Sequence, residues 1–257
     1  MFMIVPLLPK LLDYIFPLNE SRPMRNLLEV QYYVDVDKYY VHIYFHGVQA
    51  AVLVILIILA IDSYFVMIIQ HACGMFIVLG HRLGEVSHAN SKTLNLYSNR
   101  ERDIIMSTKI IKCVKYHCKC MRFFDMIESS FSVSFVMFIF LNMAIISVTA
   151  VQTTRTTDPL EVLSFGLNTV SVMFRLFFLS WSGQRLFDHS ARIDKFLSNV
   201  TWYEFPQKPK KLIYIMLIRS LRPSYITIGK IAPLNFETYG SLIKTSMSFF
   251  TMIMSTQ

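Results

Sequence analysis

The stretch Phe131 to Val151, FSVSFVMFIFLNMAIISVTAV, decides the class of protein to which this chain belongs. It contains 21 residues and no charged side chain. A helix needs about 20 apolar residues to cross the hydrocarbon core of a bilayer. A run of this length without a charge therefore predicts a transmembrane helix.

Three further runs flank this one in the sequence. Val48 to Ile61 is uncharged, and its helical pattern extends to about Glu85, which is far longer than a bilayer requires. Val162 to Trp181 is apolar except for Arg175. The last run, from Phe236 to the end, is the least hydrophobic and is rich in Ser and Thr. Such a helix is poorly suited to face lipid and better suited to line water.

The composition excludes a soluble globular protein. Hydrophobic residues make up 54% of the 257 residues, charged residues only 16%, and the mean hydropathy is +0.45. Soluble domains contain about 25% charged residues. The net charge of +8 does not predict nucleic-acid binding, because the basic residues lie in stretches between apolar runs and lack interleaved aromatic side chains.

The distribution of Lys and Arg predicts the orientation in the membrane. Residues 1–42 contain four of them, 82–128 nine, 152–161 one and 182–230 nine. Cytoplasmic loops carry the excess of positive charge. We therefore expect 82–128 and 182–230 in the cytoplasm, and the C-terminus outside. That orientation argues against a G-protein-coupled receptor, which ends inside.

Three sequence stretches resemble the insect odorant receptor family. Pro233 to Met252, PLNFETYGSLIKTSMSFFTM, is similar to the closing signature of that family, with Met247 where the family has Tyr. GQRLFDHSARI, followed by NVTWYEF at Asn199 to Phe205, resembles the loop before its last helix. HACGMFIVLGHRL, His71 to Leu83, resembles the cytoplasmic end of its fourth helix.

The resemblance implies an all-α, polytopic transmembrane helical bundle that contains four membrane-spanning helices of an expected seven. We expect a truncated gene model or a fragment, because the first two helices and most of the third have no counterpart. The expected segments are the end of a truncated helix with an extracellular loop (1–42), a long transmembrane helix with a cytoplasmic extension (43–85), a cytoplasmic helical loop (86–128), transmembrane helices (129–152 and 162–182), a cytoplasmic anchor region (183–232) and a pore-lining helix (233–257).

The resemblance also implies a function. Members of the family are subunits of heteromeric odour-gated cation channels, expected to be tetramers with an odorant co-receptor, in the plasma membrane of olfactory sensory neurons. They bind small volatile odorants within the bilayer-embedded bundle. The alternative is a secondary transporter or a non-channel polytopic protein, although no half-to-half symmetry is visible. No enzyme, cofactor or nucleic-acid partner is predicted, because the sequence has no catalytic motif.

When the last helix is matched to the pore-lining end of the last helix in this family, the resemblance implies that the pore residues are Phe249, Met252, Ser255 and Thr256. Met252 would form a hydrophobic constriction, and the hydroxyl groups would offer oxygens to a cation. The alternative is that small residues here only pack against neighbouring helices. We expect Lys244 to point away from the pore, because a positive charge repels cations.

An odorant pocket is expected in the outer halves of the helices, where apolar side chains and a few polar groups meet. For any one of these residues, plain helix packing is the alternative. The predicted ligand-binding residues are Tyr44, Gln49, Val52, Leu53, Leu56, Phe165, Asn168, Thr169 and Val172.

Other chemical features have simpler interpretations. Asp62 and Arg175 are charges within or near apolar runs, so we expect a salt bridge or an arginine that reaches toward the interface. Asn19 begins a glycosylation sequon in a segment predicted to lie outside. The cysteines and His117 between residues 113 and 120 do not have the spacing of a zinc site, so free thiols and no metal are expected.

Overall fold

The computed structural model describes residues 36–92, 98–156, 159–200, 202–205 and 207–255, and the chain in these ranges is predominantly helical. The elements are α1 (Val36–Lys92), α2 (Asn99–Arg155), α3 (Pro159–Ser198), a 3-10 turn (Trp202–Glu204), α4 (Gln207–Ser220), β1 (Thr227–Ile228), β2 (Ala232–Pro233) and α5 (Phe236–Ser255). The prediction of an all-α helical bundle is confirmed.

Three helices in the described ranges are long and apolar enough to cross a membrane, and they lie at Lys38–Val86, Asp103–Arg155 and Pro159–Ser198. They contain the first three apolar runs of the sequence. The last run forms α5, which is 20 residues long and contains Lys244 and several hydroxyl side chains.

Helix α2 joins residues 99–128 of the expected cytoplasmic helical loop to the expected transmembrane helix 129–152 in one continuous helix. It begins after Ser98, whose hydroxyl and backbone N–H engage Glu101 in a capping box. No Gly or Pro occurs from residue 99 to residue 155, so nothing in the sequence interrupts the helix. Its 57 residues reach about 85 Å, well over twice the thickness of the hydrocarbon core.

The long helices alternate in direction. Helices α1 and α3 run in the same direction, because Asp62 contacts Arg175 and Gly80 lies against Phe196. Helix α2 is antiparallel to both of them: near one end of the interface Arg82 lies over Tyr116, and further along Phe65 packs on Phe135. This is the arrangement that successive crossings of a bilayer require.

The core forms where α1, α2, α3 and α4 meet. Phe65, Leu79, Ile110, Leu186 and Ile213 belong to one buried cluster, and each is at most 2% exposed. Most of α1 between residues 52 and 61 faces away from the other helices, so the tight packing is concentrated toward the half of the bundle that the charge distribution predicts to be cytoplasmic.

A short antiparallel hairpin, which the sequence did not predict, precedes α5. Gly229 and Lys230 both have positive φ, and the Ile231 N–H donates to the Ile228 carbonyl, so the turn resembles type I′. The hairpin is docked on α2: the Gly229 N–H donates to the Ser132 carbonyl, and the Thr227 hydroxyl donates to Glu128 over 2.7 Å.

Candidate functional site

Helix α5 has one face that packs against the bundle. Ser246 is only 1% exposed, and its carbonyl accepts a hydrogen bond from the Ser147 hydroxyl of α2 over 3.4 Å. Leu242 and Ile243 pack against the core cluster, and Tyr239 meets the ring of Phe177 edge to face. The spacing of three and four residues places these side chains on one side of the helix.

The opposite face of α5 is exposed and carries the polar side chains. The exposed polar residues are Glu237 in the first turn, and then Ser241, Lys244, Thr245, Ser248, Thr251 and Ser255. We call this set the hydroxyl face. Four of its hydroxyl groups donate to carbonyls three or four residues earlier on the same helix, over distances from 2.9 to 3.1 Å. Each hydroxyl oxygen still has acceptor capacity for another partner.

The predicted pore residues lie on or beside the hydroxyl face. Met252 is 56% exposed and Ser255 is also exposed, both near the middle of this face, whereas Phe249 lies at its edge and is 45% exposed. Thr256 lies outside the described residues. Lys244 was expected to point away from such a face, but it shares the face with Ser248, because positions four residues apart on a helix are neighbours.

Two contacts fix the ends of α5. Near the C-terminal end of α5, the sulfur of Met254 lies 3.4 Å from the hydroxyl of Thr154 on α2. Just before its start, Gly183 of α3 lies so close to Leu234 that an added Cβ would meet the Leu234 carbonyl oxygen. The Leu234 N–H in turn donates to the Ile226 carbonyl over 2.7 Å. The helix that bears the hydroxyl face is therefore held at both ends.

The predicted ligand-binding residues of α1 mostly face away from the other described helices. Val52, Leu53 and Leu56 are exposed, as is Gln49, whereas Tyr44 is half-buried and stacks on Tyr40. These side chains therefore present an apolar surface at the outer part of α1. In the described part of the chain, this surface is not enclosed on all sides.

The predicted residues of α3 lie nearer to neighbouring helices. The Thr169 hydroxyl is 2.8 Å from the Thr149 hydroxyl of α2 and also donates to the Phe165 carbonyl. Val172 packs against the core cluster, and Asn168 is exposed. Because α1 and α3 are parallel and meet at Asp62 and Arg175, the two predicted sets lie at similar heights in the bundle.

The two intramembrane charges form an ion pair. The Arg175 guanidinium donates from Nε and Nη2 to the two carboxylate oxygens of Asp62, over 2.5 and 2.9 Å. The side chains are 25% and 24% exposed. The guanidinium also lies 4.4 Å from the centre of the Phe138 ring, a partner on α2 that the sequence did not indicate. One cation therefore links three helices.

The predicted glycosylation site, Asn19, and all of segment 1–35 lie outside the described residues. The four cysteines are free thiols, with Cys118 exposed and the other three buried. No group of three or more potential metal ligands occurs among the described residues.

Comparison with known proteins defines the class to which this helical membrane fold belongs. The sequence model of the family described as 7tm Odorant receptor matches residues 1–247. The chain therefore belongs to the insect odorant receptor family, as the resemblance of its last helix and cytoplasmic segments predicts.

Individual relatives agree with this assignment. Odorant receptor 67c of Drosophila melanogaster is 23% identical over 242 residues, which cover 94% of this chain and 54% of that receptor. Odorant receptor Or2 of Anopheles gambiae is 23% identical over 93 residues, or 36% of this chain and 25% of that receptor. The chain thus spans about half the length of the first of these relatives.

A solved structure shares the fold. The insect olfactory receptor OR5 from Machilis hrabei, in complex with eugenol, superposes with a TM-score of 0.76 at 14% sequence identity. The match covers 100% of this chain and 62% of that one. At this identity the likeness concerns the arrangement of the helices.

Proposed function

We propose that this chain acts as an odorant-receptor subunit of an odour-gated cation channel, with α5 lining the pathway for ions. The observation that carries the proposal is the hydroxyl face of α5, which is exposed although the helix packs against apolar neighbours on its other side. A glutamate, a lysine and five hydroxyl side chains on one face are costly against lipid and favourable against water.

The chemistry of this face suits a cation pathway. Hydroxyl oxygens can replace part of the hydration shell of a cation, and a ring of apolar side chains can close a pore by excluding water. Met252 provides such a side chain within the hydroxyl face, and Ser255 lies one turn further along. Phe249, at the edge of the face, would contact the neighbouring subunit, and Thr256 would continue the row of hydroxyl groups.

A closed pathway requires other subunits, because a single helix can form only one wall. The family assignment supports a hetero-oligomer with an odorant co-receptor, and four subunits would surround the pathway with four helices. The protein would be a multi-pass component of the plasma membrane of olfactory sensory neurons. In this orientation, the basic segments 82–128 and 182–230 face the cytoplasm.

The ligand would be a small volatile molecule bound between the outer parts of α1 and α3. The exposed apolar surface of Val52, Leu53 and Leu56 would contribute hydrophobic burial, at about 25 cal/mol per Å². The hydroxyls of Thr149 and Thr169 could offer a polar contact if the ligand replaced their mutual bond. The OR5 structure is of a complex with eugenol, a small aromatic molecule of this kind.

Substitution of Met252 tests the pore assignment. We expect Met252→Asp, expressed with an odorant co-receptor, to increase the permeability of calcium relative to sodium, because it adds negative charge to the pathway. Met247→Asp is the matched control, since Met247 is also exposed on α5 but flanks the hydroxyl face beside Lys244 and Thr251 and points well away from Met252. If either variant fails to reach the surface, Met252→Ala and Met247→Ala replace them. Unchanged ion permeation in whichever Met252 variant reaches the surface would contradict the proposal.

A further inference from the structure

A strongly basic cleft lies between α1 and α2, well away from α5. It has a volume of about 480 Å³ and is open to solvent. The segments that line it belong to the extension of α1 and to the first half of α2, on the side predicted to be cytoplasmic. Its cationic side chains are Arg82, Lys109, Lys112, Lys115 and Lys119.

The positive charge of this cleft is poorly balanced. Glu85 is the one carboxylate that lines it. Within the part of the chain that the structure describes, none of the five cations has an ion-pair partner. Lys109, Lys112, Lys115 and Lys119 follow one another at intervals of three or four residues, which is the spacing at which like charges on a helix repel. A bound anion would relieve this repulsion.

Buried side chains form the floor of the cleft. Val86 of α1 and Cys113 of α2 are 2% and 3% exposed and form a buried base between the two helices. Arg82 extends across from α1 and lies 4.3 Å from the centre of the Tyr116 ring. This stacking fixes the direction of one guanidinium group and leaves its outward N–H groups available for an anion.

We propose that this basic cleft binds a small, multiply phosphorylated anion. Several cations that converge from two helices match a ligand with several phosphate groups better than one with a single charge, because each phosphate oxygen can accept from a separate Lys or Arg. The site is independent of the proposed ion pathway, since no residue of α5 lines it.

The distance from the bilayer favours a soluble anion over a lipid headgroup. Lys119 precedes Phe131, the start of the apolar run of α2, by twelve residues, which corresponds to about 18 Å along the helix. Lys109 is about 15 Å further away. The headgroup layer is only about 5–8 Å thick on each side of the hydrocarbon core, so most of the cleft lies beyond it.

Binding of two probes to the purified full chain in detergent tests the proposal. The soluble probe is inositol hexakisphosphate, and the lipid probe is a vesicle containing phosphatidylinositol 4,5-bisphosphate, measured after reconstitution. The test variant is Lys112→Gln with Lys119→Gln. The matched control is Lys208→Gln with Lys211→Gln on α4, which removes the same charge from exposed positions outside the cleft.

We expect the cleft variant to weaken binding of the soluble probe roughly tenfold or more, and the α4 control to change it less than about threefold. Lys112→Arg with Lys119→Arg should retain binding, and higher salt should weaken it. If the cleft variant loses binding to the vesicle but not to the soluble probe, the ligand of this site is a lipid headgroup and not a soluble anion. If neither probe binds, or if the cleft and control variants lose binding equally, the proposal is overturned.

Discussion

The ion pair between Asp62 and Arg175 offers a direct test of how the bundle is held together. Asp62→Asn removes the negative charge and leaves the guanidinium without its bidentate partner. Arg175→Gln removes the positive charge instead. An unpartnered guanidinium stays charged even in apolar surroundings, because arginine does not deprotonate in proteins. We therefore expect Asp62→Asn to be the more damaging of the two single substitutions.

The geometry sets the size of the effect. Breaking a buried ion pair by removing one partner costs about 3–5 kcal/mol. Because both side chains are about a quarter exposed, we expect the lower end of this range, about 3 kcal/mol for Asp62→Asn. For a chain of this length, that loss lowers the melting temperature by about 6–12 °C. The contact of Arg175 with Phe138 survives in this variant and does not compensate for the lost carboxylate.

A double-mutant cycle in detergent measures the coupling. The double variant Asp62→Asn with Arg175→Gln contains no unpaired charge, so we expect it to be more stable than Asp62→Asn alone, with a coupling energy of at least about 2 kcal/mol. Thermal unfolding followed by circular dichroism supplies the four stabilities. A coupling energy below about 0.5 kcal/mol would refute the reasoning, because independent sites show additivity within that limit.

Two further substitutions probe other contacts. Gly183→Ala should destabilise the chain by about 1–3 kcal/mol in the same unfolding assay, because the added Cβ would meet the Leu234 carbonyl oxygen. Gly166→Ala is the control and should be neutral or slightly stabilising, because an added Cβ at residue 166 meets open space. Equal effects of the two substitutions would contradict this prediction. Burial, followed by the charge of Arg219, lowers the pKa of His117 below its ordinary value of 6.5. The folded protein therefore binds fewer protons at His117 than the unfolded chain does, and the free energy of unfolding should fall as the pH drops from about 6.5 toward the lowered pKa. His117→Gln should flatten this dependence in unfolding curves recorded from pH 7.5 to 5, and an unchanged slope would contradict the assignment.

The membrane class and the helical fold could be predicted because they depend on local composition. The uncharged run from Phe131 to Val151 is long enough to specify a span without knowledge of its neighbours. The cytoplasmic segment before that span was expected to be helical, but its continuity with the span as a single helix was not predicted. Ser98 and Glu101, together with the absence of Gly and Pro as far as Arg155, were the signals for one continuous helix.

Features that depend on the packing of distant segments could not be predicted in the same way. A salt bridge of Asp62 with Arg175 was one of two expectations for these charges, and the sequence could not decide between the two, because the pairing depends on the parallel packing of α1 and α3. The hairpin around Gly229 has strands of only two residues, which is too short for an alternating pattern to be visible. Its position is set by its contacts with α2.

The basic cleft was missed for a related reason. Its lysines were counted as part of the charge that determines orientation, and this count contains no information about where the side chains converge. Their convergence requires Arg82 of α1 to lie beside Tyr116 of α2. The hydroxyl face, by contrast, was partly predictable, since Met252 and Ser255 repeat at helical spacing. The position of Lys244 on the same face was not anticipated.

The most direct test of the proposed pathway compares two serines on opposite sides of α5. Ser248 lies on the hydroxyl face, and Ser246 is buried against α2. With an odorant co-receptor present, a membrane-impermeant, positively charged thiol reagent applied outside the cell should modify Ser248→Cys and alter the current, and leave Ser246→Cys unmodified. Modification of Ser246→Cys at an equal rate, or no reaction at Ser248→Cys in an open channel, would contradict a water-filled pathway along this face.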